Sequence, residues 1–279
     1  MLNLLLAIGS SALVSIIMRL SDGKVKNTLG MLAVNYIMCA VASWGYTGFG
    51  SWFPAETGLP FTMGLGMGNG VLYLAGFVLL QQNVRQNGVV LSSTFIKLGL
   101  LVAMVVSVVF FGERPGMQQW LGFALAVAAI VLINYRPDGT KADRKWSLVL
   151  LLLAGGGGDA MSKVFEQLGN PVLSGHFLLY TFVAALICCS GLCALSKKGW
   201  PGKWEWAFGL LIGVPNFFSA KFLLAALRSV PAVIVYPVYS VATILTVTVA
   251  GVMLFRERLE KRQWMALGII LMALVLLNI

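Results

Sequence analysis

Three charged side chains lie far inside apolar stretches of the chain, where ionised groups are costly. They are Lys97, Asp159 and Lys221. A charge at the centre of a membrane-spanning helix costs about 2.5–3.5 kcal/mol on insertion scales, so each should face the protein interior or water. The lysines could attract an anionic ligand group, and Asp159 could bind an amine or exchange a proton. The alternative is a structural ion pair of Asp159 with Lys163, one helical turn further on, or with Lys221.

Four consecutive glycines, Gly155 to Gly158, directly precede Asp159. Small residues in a membrane helix let another backbone approach closely, which would make this a packing site. Glycine also weakens a helix, and a loosened turn would leave carbonyl and amide groups beside Asp159 for a ligand. Both alternatives place this helix against the centre of the protein, which explains how Asp159 is tolerated.

Polar side chains recur at helical spacing on several apolar segments. They are Ser11 and Ser15; Asn69 and Tyr73; Ser93 and Thr94 beside Lys97; and Tyr236, Tyr239, Ser240, Thr243 and Thr246 around Pro237. One such stripe could serve hydrogen bonding between helices, but four indicate a wet pocket with aromatic walls. The predicted substrate-binding residues are Lys97, Asp159, Lys221, Tyr236, Tyr239, Asn69, Tyr73 and Ser93. Asp159 is also the candidate for proton coupling.

Sequence motifs for nucleotide hydrolysis, metal-dependent hydrolysis or nucleophilic catalysis do not occur in this sequence. The four cysteines, Cys39, Cys188, Cys189 and Cys193, have no metal-ligand spacing and are expected to pack as small apolar residues. We therefore expect neither an enzyme, nor a metal site, nor a cofactor. The lone His176 is expected to pack or to form a hydrogen bond.

The composition is that of an integral membrane protein. Of 279 residues, 59% are hydrophobic and only 11% are charged, far from the average of soluble domains. Ten apolar runs are each long enough to cross a bilayer as a helix. They cover residues 2–20, 28–47, 60–83, 88–111, 117–135, 146–167, 172–195, 206–228, 231–255 and 261–279. The sequence predicts an all-α membrane protein with ten transmembrane helices.

An internal duplication is the strongest signal in the sequence. FFGERPGMQQW, from Phe110 to Trp120, recurs as LFRERLEKRQW, from Leu254 to Trp264, at an offset of 255 − 111 = 144 residues. The chain is thus predicted to hold two five-helix repeats, residues 1–136 and 145–279. Five helices is an odd number, so the second repeat must be inverted in the membrane, an arrangement typical of secondary transporters. Glu113 and Glu257 of the motif are expected to stabilise helix N-termini.

The basic residues in and near the short connections between the apolar runs predict how the chain is oriented in the membrane. With the N-terminus outside, most of them fall on the cytoplasmic side, and Arg114, Lys163 and Arg228 fall on the outer side. This bias predicts that both termini lie outside. The formal charge of +10 is therefore interpreted as a topology signal and not as a nucleic-acid surface.

The doubled FxERxxxxQW segment and the five-plus-five organisation resemble the drug/metabolite transporter superfamily, most closely its ten-helix EamA-like members. The resemblance extends over the whole chain. It implies a transporter, often an exporter, of amino acids or related metabolites, with a cavity lined by helices 1, 3, 4, 6, 8 and 9. It also implies cytoplasmic termini, in contrast to the loop charges, and it leaves the substrate open.

We interpret the chain as a secondary active transporter of the bacterial inner membrane. It would export a small polar metabolite, an amino acid or organic anion, by alternating access, as a monomer or homodimer and with the proton as candidate coupling ion. One alternative is a flippase for a lipid-linked sugar or phospholipid, which requires a lateral opening to lipid. Another is a membrane helper subunit without transport activity, which requires a closed apolar centre.

Overall fold

The computed structural model describes residues 1–134, 145–196, 200–255 and 261–278. Over these ranges the chain forms ten α-helices and one short 3₁₀ turn, and no β-strand. The helices are α1 (Leu2–Ser21), α2 (Thr28–Tyr46), α3 (Leu59–Lys97), α4 (Leu100–Phe111), α5 (Met117–Asn134), α6 (Lys145–Leu168), α7 (Ser174–Leu195), α8 (Lys203–Leu227), α9 (Ala232–Phe255) and α10 (Lys261–Asn278). The 3₁₀ turn, Pro171–Leu173, leads into α7.

Seven of these helices, counted over the described residues, are long and apolar enough to span a bilayer. They are α1, α2, α6, α7, α8, α9 and the Leu59–Leu80 part of α3; the shorter helices α4, α5 and α10 are also apolar. A helix satisfies its backbone polar groups internally, which is what a lipid environment requires. The predicted all-α membrane fold is confirmed.

The predicted boundary between the third and fourth helices is wrong. A break was expected at residues 84–87, but α3 continues through them as far as Lys97. The segment Val84–Asn87 contains no proline, so nothing in its backbone interrupts helical hydrogen bonding. The interruption comes at residues 98–99 instead, where amides bond carbonyls three residues earlier, as from Gly99 N to Ile96 O at 3.2 Å and from Leu101 N to Leu98 O at 2.9 Å.

The corresponding break in the second half has a clear cause. Pro231 precedes α9, and a proline favours a helix start at this point because it lacks an amide donor and disfavours helical geometry in the residue before it. The chain leaves α8 at Leu227 and enters α9 at Ala232. At the repeat offset of 144 residues, the position of Pro231 corresponds to Asn87 (231 − 144 = 87).

The helices group into two compact units, and each unit draws on both halves of the sequence. The first comprises residues 75–163 and 226–279. In it α5 and α10, which are equivalent in the repeat, lie side by side. A Cβ at Gly122, near the start of α5, would lie 2.9 Å from Leu277, near the end of α10, so the two helices run antiparallel. Their contact is filled by the fully buried Ala126, Ile270 and Ala273.

The second unit comprises residues 2–74 and 164–225. In it the equivalent helices α2 and α7 pack together. Cys189 contacts the carbonyl of Leu29 at 3.5 Å, and a Cβ at Gly175 would lie 2.7 Å from Thr47, so these two helices also run antiparallel. Repeat-equivalent helices that run in opposite directions are the mark of an inverted repeat, as predicted. The exact repeat boundaries, residues 1–136 and 145–279, remain a prediction.

Candidate functional site

The glycine run of α6 is a close crossing point of the first unit. α6 stays helical through Gly155–Gly158. A Cβ at Gly156 would lie 2.0 Å from the carbonyl oxygen of Gly99 and 2.8 Å from the Cβ of Val102. Only glycine permits this approach of α6 to the turn between α3 and α4. Of the two alternatives for the run, the structure therefore supports close packing.

Asp159 and Tyr236, two of the predicted site residues, meet just beyond this crossing. The Tyr236 hydroxyl donates a hydrogen bond to the backbone carbonyl of Asp159 at 2.6 Å, and Tyr236 is only 1% exposed. The phenol ties the first turns of α9 to α6 in this conformation. Tyr239 lies three residues further along α9 and, like Asp159, is half-buried.

An ion pair lies one turn further along α6. Lys163, 1% exposed, places its Nζ 3.0 Å from Oε1 of Glu113, in the connection between α4 and α5. Glu113 also accepts hydrogen bonds from the backbone amides of Ala232 and Val233, each at 3.0 Å. Glu113 thus stabilises a helix N-terminus, as expected, but that of α9 and not that of the following α5. Its repeat equivalent Glu257 lies outside the described residues.

Two predicted residues, Ser93 and Lys97, lie in the last turns of α3, and their side chains are outside the described part of the structure. Lys97 is the last residue of that helix, directly before the turn at Leu98 and Gly99. Its backbone is therefore close along the chain to the crossing with Gly156.

Lys221 belongs to the second unit, six residues before the end of α8 (227 − 221 = 6), which is about 9 Å along the helix. Its Nζ lies 3.9 Å from the ring centroid of Tyr46, and further from the rings of Phe218 and Phe222. Among the described residues no carboxylate forms an ion pair with Lys221. The positive charge therefore rests on aromatic faces, which attract a cation without neutralising it.

Asn69 and Tyr73 both contact α7 within the second unit. Asn69 is 2% exposed and donates from Nδ2 to Thr181 at 3.4 Å, while its buried Oδ1 has no hydrogen-bond partner in the described structure. The Tyr73 ring meets Phe182 edge to face at a centroid distance of 6.4 Å. A Cβ at Gly70, between them in sequence, would lie 2.2 Å from the Thr181 carbonyl, so α3 and α7 are in close contact there.

A polar cluster that the sequence analysis did not single out links α2 and α8. Asn216 donates from Nδ2 to the carbonyl oxygen of the Asn35 side chain at 3.2 Å and contacts Cys39 Sγ at 3.6 Å. Cys39 in turn bonds the Gly213 carbonyl at 3.3 Å. The available signal was asparagine inside two apolar runs, since such side chains need a partner away from water. As expected for the cysteines, Cys39 is fully buried.

The predicted site residues therefore fall into distinct local settings. Asp159 and Tyr236 meet in the first unit, Asn69 and Tyr73 line the α3–α7 contact of the second, and Lys221 rests on Tyr46. Two cavities of the second unit contain none of them. One, of about 340 Å³, lies at the turn from α1 to α2 beside Arg19 and Asp22, and the other, of about 370 Å³, is apolar and is rimmed by Trp200 and Trp206.

Comparison with known proteins agrees with this architecture. A protein from Haemophilus influenzae, described only as uncharacterized, is 23% identical over 281 residues, which cover 96% of this chain and 94% of that protein. A solved crystal structure superposes with a TM-score of 0.74 at 14% identity, covering 99% of this chain and 94% of the other, which shows a shared fold. The model of the EamA-like transporter family matches residues 1–135 and again residues 146–279. With nearly the whole chain matched in two copies, this multi-pass membrane protein belongs to the EamA-like transporter family.

Proposed function

We propose that this protein is a secondary active transporter that exports a small polar metabolite with an anionic group across the bacterial inner membrane. An amino acid or an organic anion fits this description. Family membership supports a transporter of small molecules. The observation that carries the substrate class is Lys221, a cation in a membrane-spanning helix that is held over aromatic rings.

The magnitudes favour a functional charge at this position. Placing a lysine within a span costs about 2.5–3.5 kcal/mol, whereas a cation–π contact returns about 0.5–2 kcal/mol. Among the described residues no acidic group offsets the rest of this insertion cost. A carboxylate or another anionic group of a substrate would do so, and the Tyr46 ring would keep the ammonium group in place until it binds.

The transport cycle that we propose is alternating access between the two repeats, residues 1–136 and 145–279. It is supported by the antiparallel α2–α7 and α5–α10 pairs, and by the different helix breaks of the two halves. The third and fourth helices of the first repeat and their equivalents in the second thus break at different places, although the two repeats are related in sequence. The proposed substrate-binding residues are Lys97, Asp159, Lys221, Tyr236, Tyr239, Asn69, Tyr73 and Ser93.

The test is uptake or counterflow of amino acids and organic anions in proteoliposomes. Lys221→Gln should reduce transport of the anionic substrate by at least about tenfold, and Lys221→Arg should retain part of it, because loss of a charged partner costs about 1.5–3 kcal/mol. The matched control is Lys203→Gln, since Lys203 also lies over an aromatic ring, that of Trp204, but at the exposed start of α8. Equal transport by Lys221→Gln and Lys203→Gln would remove the basis of the proposal.

Proton coupling through Asp159 is a separate part of the proposal. Asp159 lies within a membrane span and is half-buried, as a carboxylate that exchanges protons during transport must be. A pH gradient should drive transport by the unaltered protein and not by Asp159→Asn, while Asp22→Asn in the exposed turn after α1 should behave as the unaltered protein does. Transport that ignores the pH gradient, or that remains coupled in Asp159→Asn, would refute it.

A further inference from the structure

The first turn of α9 is capped by a side chain from a distant part of the chain. The first amides of a helix have no partner within it. Here the amides of Ile234 and Val235 bond the Pro231 carbonyl at 3.0 Å, and those of Ala232 and Val233 bond the two carboxylate oxygens of Glu113. Glu113 lies 119 residues before Ala232, so this cap joins separate elements of the fold.

The same carboxylate is also held by a buried cation. Lys163 binds Oε1 of Glu113 at 3.0 Å, with its side chain only 2% exposed, and its Nζ lies 6.0 Å from the Phe111 ring centroid. Hydrogen bonds that involve ionised groups are about twice as strong as neutral ones. Three elements therefore meet at one carboxylate: the α4–α5 connection, α6, and the start of α9. We name the contacts of Glu113 with Lys163, Ala232 and Val233 the Glu113 latch.

In the first half, the residues equivalent to the capped amides lie inside a helix. At the 144-residue offset, Ala232 and Val233 correspond to Gly88 and Val89 (232 − 144 = 88; 233 − 144 = 89). Those residues lie in the interior of the unbroken α3, where amides bond carbonyls of the preceding turn. The first half thus has no helix N-terminus where the second half has the one that the latch holds.

We infer that the Glu113 latch is a releasable contact that keeps α6 and α9 together in one state of the transport cycle. Glu113 and Lys163 are positioning residues: they hold α6, which carries Asp159, against the first turn of α9, which carries Tyr236. Release exposes the first turn of α9, and the break before it at Pro231 provides the point where α9 moves relative to α8. This role rests on the proposed function, but the latch itself is tested without a substrate.

The test measures how readily a cysteine at the latch reacts with a thiol reagent in detergent-purified protein. Ala232→Cys is the reporter at the latch, and Ala129→Cys is its matched control in α5; both alanines are 0% exposed. Peptide mass spectrometry separates the reporters from the four native cysteines. Glu113→Gln keeps the side-chain size but removes the charge and one of the two acceptors, and Lys163→Met removes only the cation.

Glu113→Gln should raise the labelling rate of Ala232→Cys by at least about tenfold, because labelling follows the equilibrium of local opening, and leave Ala129→Cys within about twofold. Lys163→Met should raise the labelling rate of Ala232→Cys less, because the Glu113 carboxylate still accepts hydrogen bonds from the amides of Ala232 and Val233. Glu166→Gln, which removes a nearby carboxylate of α6, should change neither rate. An unchanged rate at Ala232→Cys would overturn the inference, and so would an equal rise at both reporters, which indicates general loosening.

A second measurement asks whether the latch must open during transport. Lys163→Cys on α6 combined with Ala232→Cys at the start of α9, with Glu113 unaltered, is joined by a short bifunctional methanethiosulfonate reagent and later released with a reductant. Transport in proteoliposomes should stop on cross-linking and return on reduction, whereas the single cysteine variants should be unaffected by the reagent. Undiminished transport after complete cross-linking would show a purely structural contact. Labelling that changes as expected in a protein without transport would contradict the proposed function and not the latch.

Discussion

Replacing Gly156 with alanine should push α6 away from the turn between α3 and α4 and destabilise the protein. The new Cβ would lie 2.0 Å from the Gly99 carbonyl oxygen, and contacts under 3.0 Å are essentially never found for real Cβ atoms. The two backbones must therefore separate by at least 1.0 Å (3.0 − 2.0). Overpacking of this kind costs about 1–3 kcal/mol. Alanine also raises helix propensity by up to about 1 kcal/mol, which partly offsets the loss.

A second glycine isolates the packing contribution. Gly268 lies inside α10, where an added Cβ would meet nothing within 4 Å, so Gly268→Ala gains helix propensity without a clash. The difference between the two variants then equals the packing cost. At about 2–3 °C per kcal/mol for a chain of this size, a packing cost of about 1–3 kcal/mol should make Gly156→Ala melt roughly 2–9 °C below Gly268→Ala.

The assay is thermal unfolding of both variants in the same detergent, followed by intrinsic fluorescence. Transport by Gly156→Ala should fall as well, because α6 also carries Asp159. Equal melting temperatures for the two variants would refute the close crossing of α6 with Gly99. A loss shared by Gly268→Ala would show that the destabilisation does not arise from the crossing, because alanine at position 268 meets no neighbour and should gain helix propensity.

Three further substitutions test single contacts, the first two by thermal unfolding and the third by proteolysis. Tyr236→Phe removes the hydrogen bond to the Asp159 carbonyl and should cost about 0.5–1.5 kcal/mol; no loss would mean that the bond is not formed in solution. Asn216→Ala leaves the buried Asn35 side-chain oxygen with only the weak thiol contact of Cys39 at 3.7 Å and should cost about 1–3 kcal/mol, and a neutral outcome would contradict the α2–α8 cluster. Glu205→Gln weakens the hydrogen bonds from the amides of residues 26 and 27 and should speed proteolysis of the α1–α2 turn by roughly fivefold; unchanged cleavage would show that this turn is held otherwise.

The inverted architecture could be predicted because the sequence contains the same five-helix pattern twice. Phe111, Glu113 and Trp120 recur as Phe255, Glu257 and Trp264 at one fixed offset. A repeat with an odd number of apolar runs has one physical solution in a bilayer, which is inversion. The antiparallel packing of α2 against α7 follows from it.

The partner of Glu113 could not be predicted, for a different reason. A carboxylate in a short connection was expected to stabilise a helix N-terminus, and the nearest one in sequence belongs to α5. The actual N-terminus belongs to α9, 119 residues later. The sequence likewise suggests Lys163 either as an ion-pair partner of Asp159, one turn away, or as one of the basic residues of the outer side. In the structure Lys163 binds Glu113. Local spacing contains no information on which distant helix a connection will meet.

The error at residues 84–87 and the Glu113 latch have the same physical origin. A polar segment between two apolar runs suggested a loop in both halves, but only the segment of the second half contains a proline, Pro231. Without proline, helical hydrogen bonds continue through the polar segment of α3. With proline, the helix is interrupted, and α9 begins with free amides that require an acceptor. Glu113 supplies that acceptor and Lys163 its counter-charge. The proline at position 231, where the first repeat has Asn87, thus explains the helix break before α9 and the amides that Glu113 caps there.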